Sequence, residues 1–286
     1  HSDFLSGSTQ FMLLGLLPPV VVTHFHNPKY QQSHLYGVSR RKRLTLFFAK
    51  LSCALFSTHF LGTSADILQK YEVNAWTYSR IKKEAIYCFF DTKKYLKRKA
   101  ELPPRSPYNL LFIGRLDSSI DRTNLRNHKN SGLVLLIVAK IIELGHQCHL
   151  VMLGKNDHSL SLHEKLIDDL GLNDHVHLAG IQKDVVPFLS NADLLLFPSR
   201  EEGMGLVAVE AQLAKVRVLK SHGVPDEVVC VPSAVESLPV DSSLEDWSQK
   251  AIDLLQRMPD WSDADFGGFD IDRQFPELLN IYRDGR

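Results

Sequence analysis

From Asn109 onward the chain alternates short apolar runs with longer stretches of helical period, and this alternation restricts its fold more than any other feature. Apolar runs of a few residues bounded by turn signals read as strands buried on both faces. Strands separated by helical stretches build an open, parallel α/β sheet. The expected strands are Asn109 to Ile113, His149 to Leu153, Val176 to Leu178, Asp193 to Phe197 and Val216 to Leu219. Between them a helix is expected over Ser131 to Leu144, with Val134, Ile137, Val138 and Ile141 on one stripe and Gly145 as its stop. A second carries Leu162, Leu166 and Leu170 and ends at Gly171, a short third spans Asp184 to Leu189, and a fourth runs from Gly205 to Ala214. Helices near Leu244 to Met258 and Gln274 to Arg283 close the chain.

The first part is less regular: strands are expected at Pro19 to Thr23, His59 to Gly62 and Ala85 to Phe90, and a basic-then-apolar helix over Arg40 to Phe56. Between Lys93 and Pro107 the sequence turns basic and gains Pro103, Pro104 and Pro107, which suits a linker. The 286 residues therefore divide near residue 105 into two Rossmann-like domains, 1–105 and 106–286, the second including the C-terminal helices. The chain opens at His1 with no room for a first β-α unit, so the N-terminal domain is expected to be incomplete.

Lys plus Arg and Asp plus Glu both number 33, so bulk charge advertises no nucleic-acid partner. Cys53, Cys88, Cys148 and Cys230 form no CxxC pair and read as reduced, mostly buried thiols, as in a cytoplasmic protein. Phe11 to Val22 is broken by Gly15, Pro18 and Pro19 and is too short to span a bilayer.

The segment richest in chemistry is Pro198 to Ala211, which places Glu202 before a helix and Glu210 inside it, on the exit of the strand ending at Phe197. Ligands of open α/β sheets bind at the carboxyl ends of strands. Gly203 and Gly205, flanking Met204 and followed by Leu206, let a backbone turn approach a ligand, and the helix start behind them favours a phosphate. Glu210 suits a vicinal diol such as ribose, through hydrogen bonds to an ionised carboxylate. The plain alternative is a solvated loop acid and a helix-surface acid.

With Phe112-Ile113-Gly114-Arg115-Leu116, Lys129-Asn130, Leu153-Gly154, Val176-His177-Leu178-Ala179-Gly180, Asp193 to Ser199 and the Glu202/Glu210 pair, the chain resembles the retaining glycosyltransferases of GT-B architecture. The match is to the large family 4, glycosyl transferases group 1, of exopolysaccharide type. The resemblance implies an α/β fold of two facing Rossmann-like domains and hexosyl transfer from a UDP- or GDP-sugar to a glycan or lipid-linked acceptor. It implies that Arg115 and Lys129 grip the donor diphosphate, Glu202 contacts sugar hydroxyls and Glu210 the ribose, with no metal or cofactor. Gly114, Gly180, Ile181, Gly203, Met204, Gly205 and Leu206 complete the donor-binding set, with the backbone near Gly180 and Ile181 at the base. A cytoplasmic enzyme, peripheral at the inner membrane face, is the expected setting.

Val20-Val21-Val22-Thr23-His24-Phe25-His26-Asn27 resembles the strand and loop that bring a histidine to the cleft in this family, with His26 the first choice and His24 the second. Gly62-Thr63-Ser64 resembles a later turn of the same domain. The residues Arg40 to Arg43 read as a solvated helix face, or as a contact for anionic lipid. Asp117 to His128 is an insertion between Arg115 and Lys129, and its Arg122 and Arg126 are substitutes for that cation pair or readers of the acceptor. Pro225-Asp226-Glu227 after His222-Gly223 reads as a turn opening a short helix. A non-catalytic nucleotide-sugar-binding remnant would carry the same motifs, and GT-B-like epimerases and phosphorylases share the fold.

Overall fold

The computed structural model of the chain describes residues 2–3, 20–26, 51, 53, 55–70, 79–96, 107–121, 127–155 and 160–284. In chain order its elements are β1 (Ser2–Asp3), β2 (Val22–Phe25), β3 (His59–Gly62), α1 (Ala65–Lys70), β4 (Lys82–Ala85), α2 (Lys93–Leu96), β5 (Tyr108–Ile113) and α3 (Ser131–Glu143). They continue with β6 (Cys148–Leu153), α4 (Leu160–Asp169), β7 (Val176–Gly180), α5 (Val186–Asn191), β8 (Leu194–Phe197) and α6 (Leu206–Leu213). Last come β9 (Arg217–Ser221), β10 (Val235–Leu238), α7 (Leu244–Gln256) and α8 (Ile271–Asp284). Most of the helix expected over Arg40 to Phe56, the Pro-bearing linker and the loop holding Arg122 and Arg126 lie outside the described residues.

The chain divides into two units, His1–Asp91 with Gly267–Arg286, and Thr92–Phe266. This differs from a single cut near residue 105 with all C-terminal helices in the second domain. The reason is the stripe Leu278, Ile281 and Tyr282 on α8, which packs against Val22 of β2 and Leu61 of β3 in the first unit. The entry to α8 is fixed there too: the Phe90 amide donates to Phe269 O at 3.0 Å and the Ile271 amide to Phe90 O at 3.2 Å.

The first unit holds a parallel sheet in the order β1-β2-β3-β4. Its last strand lies at Lys82–Ala85 rather than at Ala85 to Phe90. Strand β4 is an edge, mostly exposed and built of Lys-Lys-Glu-Ala, so apolar patterning does not mark it, and its charges blunt the edge. The second strand falls at Val22–Phe25, two residues later than its apolar run suggests at its carboxyl end.

The second unit is a six-stranded parallel sheet ordered β10-β9-β8-β5-β6-β7. Strands β5, β6, β7, β8 and β9 fall where the apolar runs place them, and β8, Leu-Leu-Leu-Phe, is buried on both faces. On one face the expected stripe of α3 is buried with Trp247, Ala251, Ile252, Leu254 and Leu255 of α7, over Leu110, Phe112, Leu194 and Leu196. Cys148 and Cys230 are buried there and Cys53 in the first unit; burial pushes the Cys148 and Cys230 thiols up to about 12 and Cys53 to about 11. All four cysteines are free. No helix among the described residues is long and apolar enough to cross a membrane.

Ile137, at the centre of the α3 stripe and fully buried, sets the scale of this core. Ile137→Ala is expected to cost about 2–5 kcal/mol through lost burial plus the cavity left behind, measured as a lowered urea midpoint of the second unit.

Candidate functional site

In the second sheet β5 pairs with β6 on one side and β8 on the other, so the strand order reverses at β5. The carboxyl ends of strands at such a reversal are the usual ligand position of open α/β sheets. Gly114 and Arg115 follow β5, Gly154 follows β6, Gly180 ends β7 with Ile181 after it, and Pro198 to Gly205 links β8 to α6.

These strand ends are knitted together by backbone. The Gly114 amide donates to Leu153 O at 2.9 Å, Leu116 to Lys155 O at 3.0 Å and Gly154 to Gly180 O at 2.8 Å. A Cβ on Gly154 would stand 1.9 Å from Gly114 O, so only glycine lets the β6 exit lie against the Gly114-Arg115 turn. The Lys129 side chain lies over Gly114, its Cγ and Cδ 3.3 Å from where a Cβ would sit. Its Nζ meets Glu202 Oε1 at 2.5 Å and stands 5.4 Å from the centre of the Phe197 ring.

The insertion between Arg115 and Lys129 does not part them, because Asp117 closes its base. The buried Asp117 carboxylate accepts from the Lys129 amide at 3.2 Å and from the Ser131 amide at 3.0 Å. The Asp117 amide donates to Ser131 Oγ at 2.9 Å, and that hydroxyl also meets His163 Nε2 at 2.8 Å. Asn130, at the cap position of α3, is left-handed with φ 56° and makes no cap of its own. Asp117 therefore caps α3 from another loop and fixes Lys129 in doing so. Arg115 is exposed and has no ion pair with any described residue.

The loop carrying Glu202 is held from two sides. The Arg200 amide donates to His128 O at 2.8 Å, and the Glu202 amide to Gly223 O at 3.0 Å. The turn holding Gly223 is braced by the buried Lys220, whose Nζ donates to Val224 O at 2.9 Å and Asp226 Oδ1 at 2.7 Å. Met204 is buried, and Gly205 caps α6 in the left-handed region at φ 88°. A Cβ there would press on Phe197 and Val224 at 3.0 Å. Behind it Leu206 opens α6 with no side-chain cap on its first amides, and Gly203 precedes the turn.

Lys129, Glu202, Gly114 and the backbone of Arg115 thus come together, with Gly180 joined through Gly154. Glu210 is linked to none of them; its Oε1 accepts from the Tyr95 hydroxyl at 2.6 Å. Burial raises the Glu210 pKa above the carboxylate range, against the pull of the Tyr95 hydrogen bond and of Lys94. Ile181 stands 68% exposed beyond β7. Sequence reading missed Asp117, Tyr95 and Lys220: Asp117 reads as part of an insertion, Tyr95 as part of a linker, and Lys220 falls one residue past the expected strand Val216 to Leu219, although β9 includes it. Among the described residues no group of three or more His, Cys, Asp or Glu is arranged to hold a metal ion.

In the first unit the two histidines differ in placement. His24 Nε2 meets Tyr282 Oη of α8 at 3.0 Å, and its ring stacks on His26 at 5.5 Å. His26 lies just past the carboxyl end of β2 and is exposed. Burial, and then the neighbouring His26, lower the His24 pKa to about 4.

Two parallel α/β units of this kind define the GT-B fold of glycosyltransferases, and solved structures of that fold match the chain. Anabaena HepE, solved in complex with UDP, aligns with a TM-score of 0.74 at 16% identity, covering 98% of this chain and 76% of that one. The sequence profile of the glycosyl transferases group 1 family matches residues 96–256, more than half of the chain, and the chain belongs to that family of glycosyltransferases. It is 22% identical over 291 residues to the capsular polysaccharide biosynthesis glycosyltransferase CapH of Staphylococcus aureus, covering 99% of this chain and 75% of CapH. It is 24% identical over 203 residues to the O-antigen biosynthesis glycosyltransferase WclY of Escherichia coli, covering 71% of this chain and 54% of WclY.

Asp117→Ala strips the α3 start of its acceptor and is expected to cost about 2–4 kcal/mol, read as a lowered urea midpoint. For His24, the unfolded chain takes up a proton near 6.5 and the folded chain only near 4. The stability contributed by the neutral ring is full above pH 6.5 and is lost as pH falls from there toward 4. His24→Gln should flatten that acid-side decline, followed by hydrogen exchange of the β2 amides at a series of pH values.

Proposed function

We propose that this chain moves a hexosyl group from a UDP- or GDP-sugar to a hydroxyl of a glycan or lipid-linked acceptor, with retention at the anomeric carbon. The bond from C1 to the diphosphate breaks with its electron pair leaving on phosphate. The acceptor oxygen bonds to C1 from the same face, and its proton passes to the departing phosphate oxygen. One observation carries the reading: Lys129 and Glu202 meet at 2.5 Å over the Gly114 turn, at the switch point between β5 and β8.

In this reading Arg115 and Lys129 stabilise the charge growing on the departing diphosphate, helped by the uncapped amides at the start of α6 behind Gly203, Met204, Gly205 and Leu206. Glu202 accepts from hydroxyls of the sugar, and its ion pair keeps it and Lys129 in place before the donor arrives. Glu210 accepts from the ribose, and the backbone at Gly180 and Ile181 flanks the base. His26, in the first unit, serves the transferred sugar. Cationic side chains take the part that a metal plays elsewhere.

A nucleotide-sugar donor is supported by HepE, solved with UDP, with UDP and glucose, and with UDP-glucose. A polysaccharide acceptor is supported by the names of CapH and WclY, glycosyltransferases of capsular polysaccharide and O-antigen biosynthesis. Calorimetric titration with UDP and GDP tests the site: one of them should bind, and Arg115→Ala and Glu210→Ala should each weaken it about tenfold or more. Unchanged binding in both variants removes the assignment, and a product with inverted anomeric configuration removes retention.

A further inference from the structure

Glu202 and Glu210 lie eight positions apart in one segment but have opposite kinds of partner. Glu202 is matched by a cation, whereas Glu210 accepts from a neutral phenol, the Tyr95 hydroxyl at 2.6 Å. A neutral donor orients a carboxylate without cancelling its charge. It uses one of about four lone-pair sites on the two oxygens, so the remaining sites can still take two hydroxyls.

Tyr95 is itself fixed. The residue is buried, at 6% exposure, and lies in α2, the short helix with which the chain enters the second unit. The neighbouring Lys94 ties α2 a second time, through Asp184 Oδ1 at 3.3 Å. A glutamate on a helix otherwise samples several rotamers, and ordering it on ligand binding costs free energy. A tyrosine already anchored by packing removes that cost in advance.

We propose that Tyr95 is a positioning residue for the donor's ribose: its hydroxyl holds the Glu210 carboxylate in the orientation that accepts both hydroxyls of a vicinal diol, and so makes the site choose ribonucleotides over 2′-deoxyribonucleotides. This rests on the reading of Glu210 as the ribose acceptor. Tyr95 touches Glu210 and acts through it.

The test is calorimetric titration of the full chain with UDP, GDP, dUDP and dGDP, for wild type, Tyr95→Phe and Glu210→Gln. Tyr95→Phe keeps the buried ring and deletes only the hydroxyl. Wild type should prefer the ribonucleotide about tenfold, Tyr95→Phe only about two- to threefold, and Glu210→Gln hardly at all. A Tyr95→Phe variant that weakens both nucleotides by the same factor and keeps the wild-type preference overturns the proposal, leaving Tyr95 a packing residue. Glu210→Gln with an intact preference overturns the ribose reading of Glu210 instead, and the Tyr95 role falls with it.

Discussion

Because β5 is flanked by β6 on one side and β8 on the other, polypeptide leaving neighbouring strand ends must run in opposite directions across the second sheet. Every feature of the candidate site follows from that divergence. It sets the Gly114-Arg115 turn beside the Pro198 to Gly205 loop, with Lys129 packed over Gly114 and paired to Glu202 between them. The close approach of Gly154 to Gly114 fixes the first of these, and the bond from the Glu202 amide to Gly223 O fixes the second. Asp117 then solves a local problem of this geometry, since a left-handed Asn130 makes no cap of its own at the start of α3, next to Lys129.

The second unit was the more legible half because its strands are buried on both faces. Continuous apolar runs such as Leu-Leu-Leu-Phe have no other comfortable environment in water. Strand β10, Val-Glu-Ser-Leu at a sheet edge, carries no such signature and went unread. The same holds for β4, whose lysines and glutamate look like a loop. The amphipathic stripe of α8 shows that the helix must pack, but a stripe does not say on which sheet, and its partners Val22 and Leu61 lie more than two hundred residues away in sequence. Glu202, Glu210 and the glycines between them stand out in the sequence because their spacing is local. Tyr95 does not, because a hydrogen bond spanning 115 positions leaves no trace in spacing.

Overall charge balance says little about the site. The chain sums to zero, yet the side chains of Lys129 and Glu202 are only 26% and 14% exposed, where water screens them less than at the open surface. Glu210 has no comparable cation bonded to it, and burial opposes its ionisation. Two acids in a single segment therefore differ in character through their surroundings alone.

The return of Gly267–Arg286 to the first unit makes the second one an inserted module: it begins and ends inside the sequence of its neighbour. Removing residues 267–286 would strip His24 of Tyr282 and uncover Val22 and Leu61, wounding the unit whose strands lie more than two hundred residues earlier in the sequence. A recombination that grafts a foreign second unit onto this chain must therefore splice at two junctions, near residues 91 and 267.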